Sequence, residues 1–295
     1  MQLILLSLGD SIDKLFYGFD MLIFKFFGSL QSTALTYVSK FFTSFGDEAF
    51  IIPVVVLGII LCFFKKTRKY GFALVFAIII GTIITNVIAK PMVMRIRPYN
   101  TLQNDAAYWA WYTAAGALSE SDYSFPSGHT TGATEIAMAV FFCFMSDKKK
   151  IGWLFPAIAL CTAASRIYLM VHYPSDVIGG LIVGIVAAAG GYYLMKAVML
   201  LFNKNEANDK LDAARLFKKL SENSRKKLGT ASIVIAVTAI LLNSFIPLLS
   251  EGGEQVCAYE GEYSCNNAAK IDDKDYPPID GKEYCKIHWK QLSEK

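Results

Sequence analysis

The chain lacks the polar share of a soluble domain. Of its 295 residues 54% are hydrophobic and only 18% charged, and its mean hydropathy is +0.38. Soluble domains run at about 45–50% apolar even with glycine counted. Length alone would permit two soluble domains, but the apolar residues fall in long blocks, so a bilayer is the medium they fit. A strong excess of one sign of charge is also missing. The net charge is +4, and the basic residues cluster between hydrophobic blocks. That pattern speaks of membrane topology and leaves no nucleic-acid footprint. The start, MQLILLSLGD, lacks a basic n-region and a cleavage site, so no removable signal peptide is expected.

Six apolar blocks read as spanning helices, at 50–64, 71–89, 129–146, 151–171, 176–202 and 228–249. Several approach the roughly 20 residues a bilayer crossing needs, and the shorter ones can borrow length from their flanks. Basic connections at 65–69, 147–150 and 203–227 fall on one side if each block spans once. The positive-inside rule makes that side cytoplasmic. The connections 90–128 and 172–175 and the tail 250–295 then face the extracytoplasmic side. The fold class is therefore all-α integral membrane, with about six transmembrane helices in a bundle, set in the cell membrane as a multi-pass protein. Residues 1–45 form an N-terminal amphipathic segment carrying Asp13, Lys14, Asp20 and Lys25 among Phe and Leu. It reads as interfacial or as a span with functional charges, and the side of the N-terminus stays open. Residues 46–202 form the membrane core, 203–227 a cytoplasmic basic linker helix, 228–249 an additional span and 250–295 an extracytoplasmic polar tail.

Charges at the membrane edge are costly and therefore functional candidates. They gather at the outward helix ends: Lys90, Arg97, Arg166, His129, His172 and Asp176. Lys90, Arg97 and Arg166 are three cationic donors able to hold a phosphate, the arginines through planar forks and the lysine as a point charge. Ser127 and Gly128 precede a helix start, where free N–H groups favour an anion and glycine admits close approach. His172 and Asp176 are four apart, so one turn can bring them together, with Pro174 making it irregular. Such a carboxylate would fix one imidazole tautomer and leave the other nitrogen free to attack phosphorus, while His129 could protonate the departing oxygen.

Three patterns carry a family resemblance. Lys90 through Pro98 resembles the K-x6-R-P motif of the type-2 phosphatidic acid phosphatases (PAP2), Pro126-Ser127-Gly128-His129 is similar to their P-S-G-H, and Ser165-Arg166 through Asp176 to their S-R-x5-H-x3-D. The resemblance covers about 45–202. It implies a PAP2-like bundle with His172 as nucleophile forming a phosphohistidine, Asp176 orienting it and His129 as general acid. It further implies that Lys90, Arg97, Ser127, Gly128 and Arg166 bind phosphate and that no metal or other cofactor takes part. The function so implied is hydrolysis of a lipid phosphate or diphosphate, such as undecaprenyl diphosphate, a phosphatidylglycerol phosphate or a phosphatidate. The expected partners are that lipid substrate and the bilayer, with no nucleic acid; the sequence leaves the oligomeric state open. Two rival readings are a vanadium-haloperoxidase-like enzyme, which the spanning blocks oppose, and a non-catalytic lipid-binding or transport protein, which would be expected to lack a nucleophile.

Other residues draw plainer expectations. Arg95 reads as an ordinary loop or interface charge, and Trp109-Ala110-Trp111-Tyr112 as an interfacial anchor or a lid. Glu135 pairs with a neighbouring helix or lines the cavity. Cys62, Cys143 and Cys161 read as small buried hydrophobes. Cys257, Cys265 and Cys285 leave three readings open: one disulfide and a spare thiol, unpaired or intermolecular thiols, or, with His288, a four-ligand metal site. The spacing C-x7-C…C-x2-H tells against the last.

Overall fold

The structure is a computed structural model and describes residues 8–204, 211–213, 238, 257–259, 265–269 and 274–293. Helix α1 (Leu8–Ser29) leads into α2 (Thr33–Thr43), which continues through a tight turn into α3 (Glu48–Cys62). Asp47 starts α3 by accepting the Ala49 N–H at 2.8 Å. Next come α4 (Arg68–Thr82), a π-helical stretch Ile83–Ala89 and the short α5 (Lys90–Val93). Two short elements, α6 (Pro98–Thr101) and α7 (Ala106–Ala114), precede the long helices α8 (Gly128–Ser146), α9 (Leu154–Tyr168) and α10 (Pro174–Lys204). A last helix, α11, covers Lys286–Ser293.

Among the described residues, four helical stretches are long and apolar enough to cross a membrane: Thr33–Cys62, Arg68–Thr101, Lys150–Tyr168 and Pro174–Asn203. The expected block 129–146 forms α8 but is richer in polar residues, with Thr130, Thr131, Thr134 and Glu135 all buried. The expected first span, 50–64, begins earlier, because α2 and α3 form one nearly continuous stretch. The sixth block, 228–249, lies outside the described residues apart from Thr238.

Helices in lipid gain little from apolar burial against one another, so close backbone approach has to hold the bundle. It does so along α10. A Cβ at Gly184 would stand 2.5 Å from the Thr134 Cβ of α8, and one at Gly191 would stand 2.6 Å from the Ala77 nitrogen of α4. Glu135 is buried with its Oε2 unpartnered among the described residues, against Gly81 of α4. Cys143 is buried as expected, Cys62 is half-buried, and Cys161, contrary to expectation, lies on the outer face of α9.

The two ends of the bundle differ in chemistry. At one, the basic connections meet, with Lys69 and Tyr70 both on the Asp147 carboxylate and Arg68 Nη2 donating to the Leu211 carbonyl at 2.7 Å. At the other lie the ends of α5 and α9 and the starts of α8 and α10. Left-handed residues turn the chain there: Met94 (φ 52°) closes α5 before Arg95, and Met170 (φ 58°) reverses the chain after α9. The π-helical stretch just before Lys90 alters the helical register that aims it.

Candidate active site

His172 sits in the five-residue link between α9 and α10 and is 1% exposed. Its Nδ1 lies 3.5 Å from Asp176 Oδ2 and 3.4 Å from Ser124 Oγ. Its Nε2 lies 3.0 Å from Arg97 Nη1. A guanidinium can only donate, so Nε2 must accept, and the proton of the neutral ring belongs on Nδ1, facing Asp176. Burial first, then the Arg97 and Arg166 charges, push this imidazole well below its ordinary range. The ring is therefore neutral at pH 7, with a lone pair on Nε2.

The three expected cations are buried around it. Arg97 donates from Nε to the Asp122 carbonyl at 2.9 Å and from Nη2 to Asp122 Oδ1 at 2.5 Å. Lys90 pairs with the other oxygen of the same carboxylate. Arg166 donates from Nη2 to Glu120 Oε1 at 2.5 Å and from Nη1 to Thr43 at 2.7 Å, while its Nε–H is buried without a partner among the described residues. His129 flanks the same group, with Nδ1 3.8 Å from Glu120 Oε1 and Nε2 3.7 Å from Asp47 Oδ2. Ser127 caps α8, its hydroxyl oxygen accepting from Thr130 N at 3.4 Å and Thr130 Oγ1 at 2.9 Å. At Gly128 a Cβ would stand 3.4 Å from Lys90 Nζ, so the glycine leaves that ammonium access to the helix mouth. All eight expected residues thus converge on one site.

Sequence reasoning missed Glu120 and Asp122. Burial would raise the Glu120 carboxyl, but the charges of His129, Arg166 and Arg97 outweigh it and hold the group at about 2. Burial likewise opposes the charge of Asp122, yet Lys90 and Arg97 keep it well below the ordinary carboxylate range. Two anions on the loop between the first two motifs therefore occupy all three cations. The available signal was the acidic pair Glu120-Ser121-Asp122 in the loop that joins the first two motifs.

Arg95 corrects the sequence reading: it is neither an ordinary loop charge nor an interface charge. It is 1% exposed, and its guanidinium joins three carboxylates, with Nε to Asp13 at 2.7 Å, Nη2 to Asp20 at 2.9 Å and Nη1 to Asp176 at 2.5 Å. The Tyr173 ring lies beneath it at 3.8 Å. Asp20 also accepts from Ser175 N at 2.8 Å and Ser175 Oγ at 2.7 Å. Asp13 and Asp20 of the N-terminal segment therefore serve the site through its outer layer, which no local pattern could reveal. Within the aromatic run Tyr112 is buried while Trp109 and Trp111 are half-buried against the same core, and Tyr108 stands just before it. Tyr108 is buried too and donates to the Met170 carbonyl at 2.5 Å, so α7 braces the link that carries His172.

A profile of the PAP2 superfamily matches residues 70–200. The undecaprenyl-diphosphatase of Sulfolobus acidocaldarius is 31% identical over 172 residues, 57% of this chain and 74% of that protein. The undecaprenyl-diphosphatase BcrC of Bacillus subtilis is 32% identical over 162 residues, 54% of this chain and 74% of that protein. Among solved structures, the transmembrane PAP2-type phosphatidylglycerolphosphate phosphatase of Bacillus subtilis superimposes with a TM-score of 0.50. That match covers 65% of this chain and 90% of that one at 24% identity, a likeness of fold. Bundle, anion-holding cluster and relatives together define a multi-pass membrane phosphatase. The chain belongs to the PAP2 superfamily.

Proposed function

We propose that the protein hydrolyses a lipid phosphate or diphosphate at the membrane edge through a phosphohistidine on His172. The observation that carries this reading is the contact between Arg97 and His172 Nε2. It joins a neutral, buried imidazole to the cation cluster an incoming phosphate would enter. Nε2 attacks phosphorus in line, the N–P bond forms as the bond to the leaving oxygen breaks, and His129 gives that oxygen its proton. Asp176 holds the Nδ1 proton and offsets the charge gained by the ring. His129 then takes a proton from water as it attacks phosphorus, releasing inorganic phosphate and restoring His172. Lys90, Arg97 and Arg166 stabilise the phosphoryl oxygens, after Asp122 and Glu120 have yielded them. The Ser127–Gly128 helix mouth adds backbone donors.

The relatives' names favour an undecaprenyl diphosphate, or a polyprenyl diphosphate like it, over phosphatidylglycerol phosphate and phosphatidate. The site end bears the tail and the opposite end the basic connections, which supports an extracytoplasmic active site, with 228–249 as a sixth span and α1 as an interfacial helix. The test is phosphate release from a panel of lipid phosphates and diphosphates by purified, detergent-solubilised protein. Release fastest from the polyprenyl diphosphate is expected. No release from any of them would favour a non-catalytic lipid binder.

A further inference from the structure

Four tail residues that the catalytic reading does not use meet in one buried cluster. The ligand atoms of Cys257, Cys265, Cys285 and His288 all lie within 4.8 Å of one another. All three thiols are free, and the four residues are at most 6% exposed. His288 Nδ1 stands 3.5 Å from Cys257 Sγ and 3.4 Å from Cys285 Sγ. A tetrahedral zinc with bonds of about 2.3 Å to sulfur and about 2.0–2.1 Å to nitrogen has S···N edges of about 3.5 Å. The observed separations therefore suit a shared ion. The sequence spacing told against such a site, but spacing does not restrict ligands drawn from three separate segments.

We propose that these four residues form a closed, structural zinc site. Three sulfurs and one imidazole nitrogen are a tetrahedral set that selects zinc over harder cations, and with four protein ligands no position is left for catalysis. The surroundings orient the ligands as a metal site requires. The Cys285 N–H donates to Cys257 Sγ at 3.2 Å, and Asn267 Nδ2 to Cys285 Sγ at 3.6 Å, easing the charge of three thiolates. The Tyr259 ring stacks on His288 at 3.7 Å and 3° from parallel, fixing the imidazole plane. Cys285 and His288 lie at the start of α11, where a helix N-terminus favours thiolate.

The cluster also ties the tail to the active-site rim. Asn267 Oδ1 accepts from Asn100 Nδ2 at 2.8 Å, and Asn100 Oδ1 accepts from Asn266 N at 2.8 Å, three residues beyond Arg97. Ala268 N donates to the Glu120 carbonyl at 3.2 Å, and Tyr123 packs on the cysteines. The metal would thus staple the loop that carries Glu120 and Asp122.

The test measures metal, not turnover, so it stands apart from the phosphatase reading. Protein purified without chelator should carry one zinc per chain by elemental analysis, and the Cys285→Ser and His288→Ala variants should lose it. Cobalt exchanged into the full chain should show thiolate charge-transfer bands and the visible bands of a tetrahedral ion. Because a variant could fail to fold, the wild-type protein is also stripped with a strong chelator and followed by hydrogen exchange. Faster exchange at 99–100 and 120–124, reversed by zinc, is expected. Wild-type protein with no bound zinc, or with a mass two hydrogens short from a disulfide among these cysteines, would overturn the proposal.

Discussion

Arg97 Nη1 stands 3.0 Å from Nε2 of His172, so one guanidinium covers the nitrogen proposed to attack phosphorus while its other arm holds Asp122. Substrate phosphate must take over both contacts before the ring is free. The two histidines should therefore fail differently. His172→Ala should reduce turnover to background, whereas His129→Ala should lose roughly 10²–10⁴-fold and most with a poor leaving group. Rapid quench with a labelled nitrophenyl phosphate should trap phosphohistidine in wild type and His129→Ala, never in His172→Ala. Label at position 129 would reverse the roles.

Asp122 competes with phosphate for Lys90 and Arg97. Asp122→Asn should tighten inhibition by orthovanadate by roughly 10–100-fold, the worth of hydrogen bonds to charged groups. The inhibition constant in detergent checks it. Weaker inhibition would instead make Asp122 a residue that positions the cations.

Arg95 should act through Asp176. Arg95→Lys keeps the charge but not the fork that joins three carboxylates. Its kcat should fall on the order of 10²-fold with KM little changed, as a misplaced catalytic pair costs. Arg95→Ala should in addition cost about 3–5 kcal/mol of stability by leaving buried carboxylates unpaired. Equal losses in kcat and KM for the lysine variant would argue for direct substrate contact.

The His172 shift sets a pH expectation. Burial and the neighbouring arginines disfavour its cation, so protonation in the folded protein occurs only below the ordinary imidazole value near 6.5. The neutral, attacking form then persists as pH falls through 6.5 and is lost only at lower pH. Titration of ¹⁵N-histidine-labelled protein by NMR should show the His172 ring still neutral at pH 6. A midpoint at or above 6.5 would contradict the site's electrostatics.

Topology can be read by labelling an introduced cysteine in a background in which Cys62, Cys143 and Cys161 are replaced and the buried tail cysteines, the proposed zinc ligands, are kept. A membrane-impermeant maleimide should modify Asn104→Cys in intact cells and Lys149→Cys only after permeabilisation. The reverse pattern would put the site on the cytoplasmic face.

Hydropathy and short-range spacing determined a good deal by themselves. The apolar blocks encode α4, α9 and α10 because a bilayer requires about twenty apolar residues with internally satisfied backbone. The convergence of Lys90, Arg97, Ser127, Gly128, His129, Arg166, His172 and Asp176 was legible because each sits at the end of such a block, and alternating spans bring the same ends together. Tertiary structure alone decided what those residues touch. Arg95 meets Asp20 across 75 positions, Glu120 meets Arg166 across 46, and Asn100 meets Asn267 across 167. Such pairings arise from how rigid helices pack and which loop end is buried against which, and no periodicity in the chain encodes them. The same holds for Cys257, Cys265, Cys285 and His288. Only folding brings three separate segments to within one ion's reach.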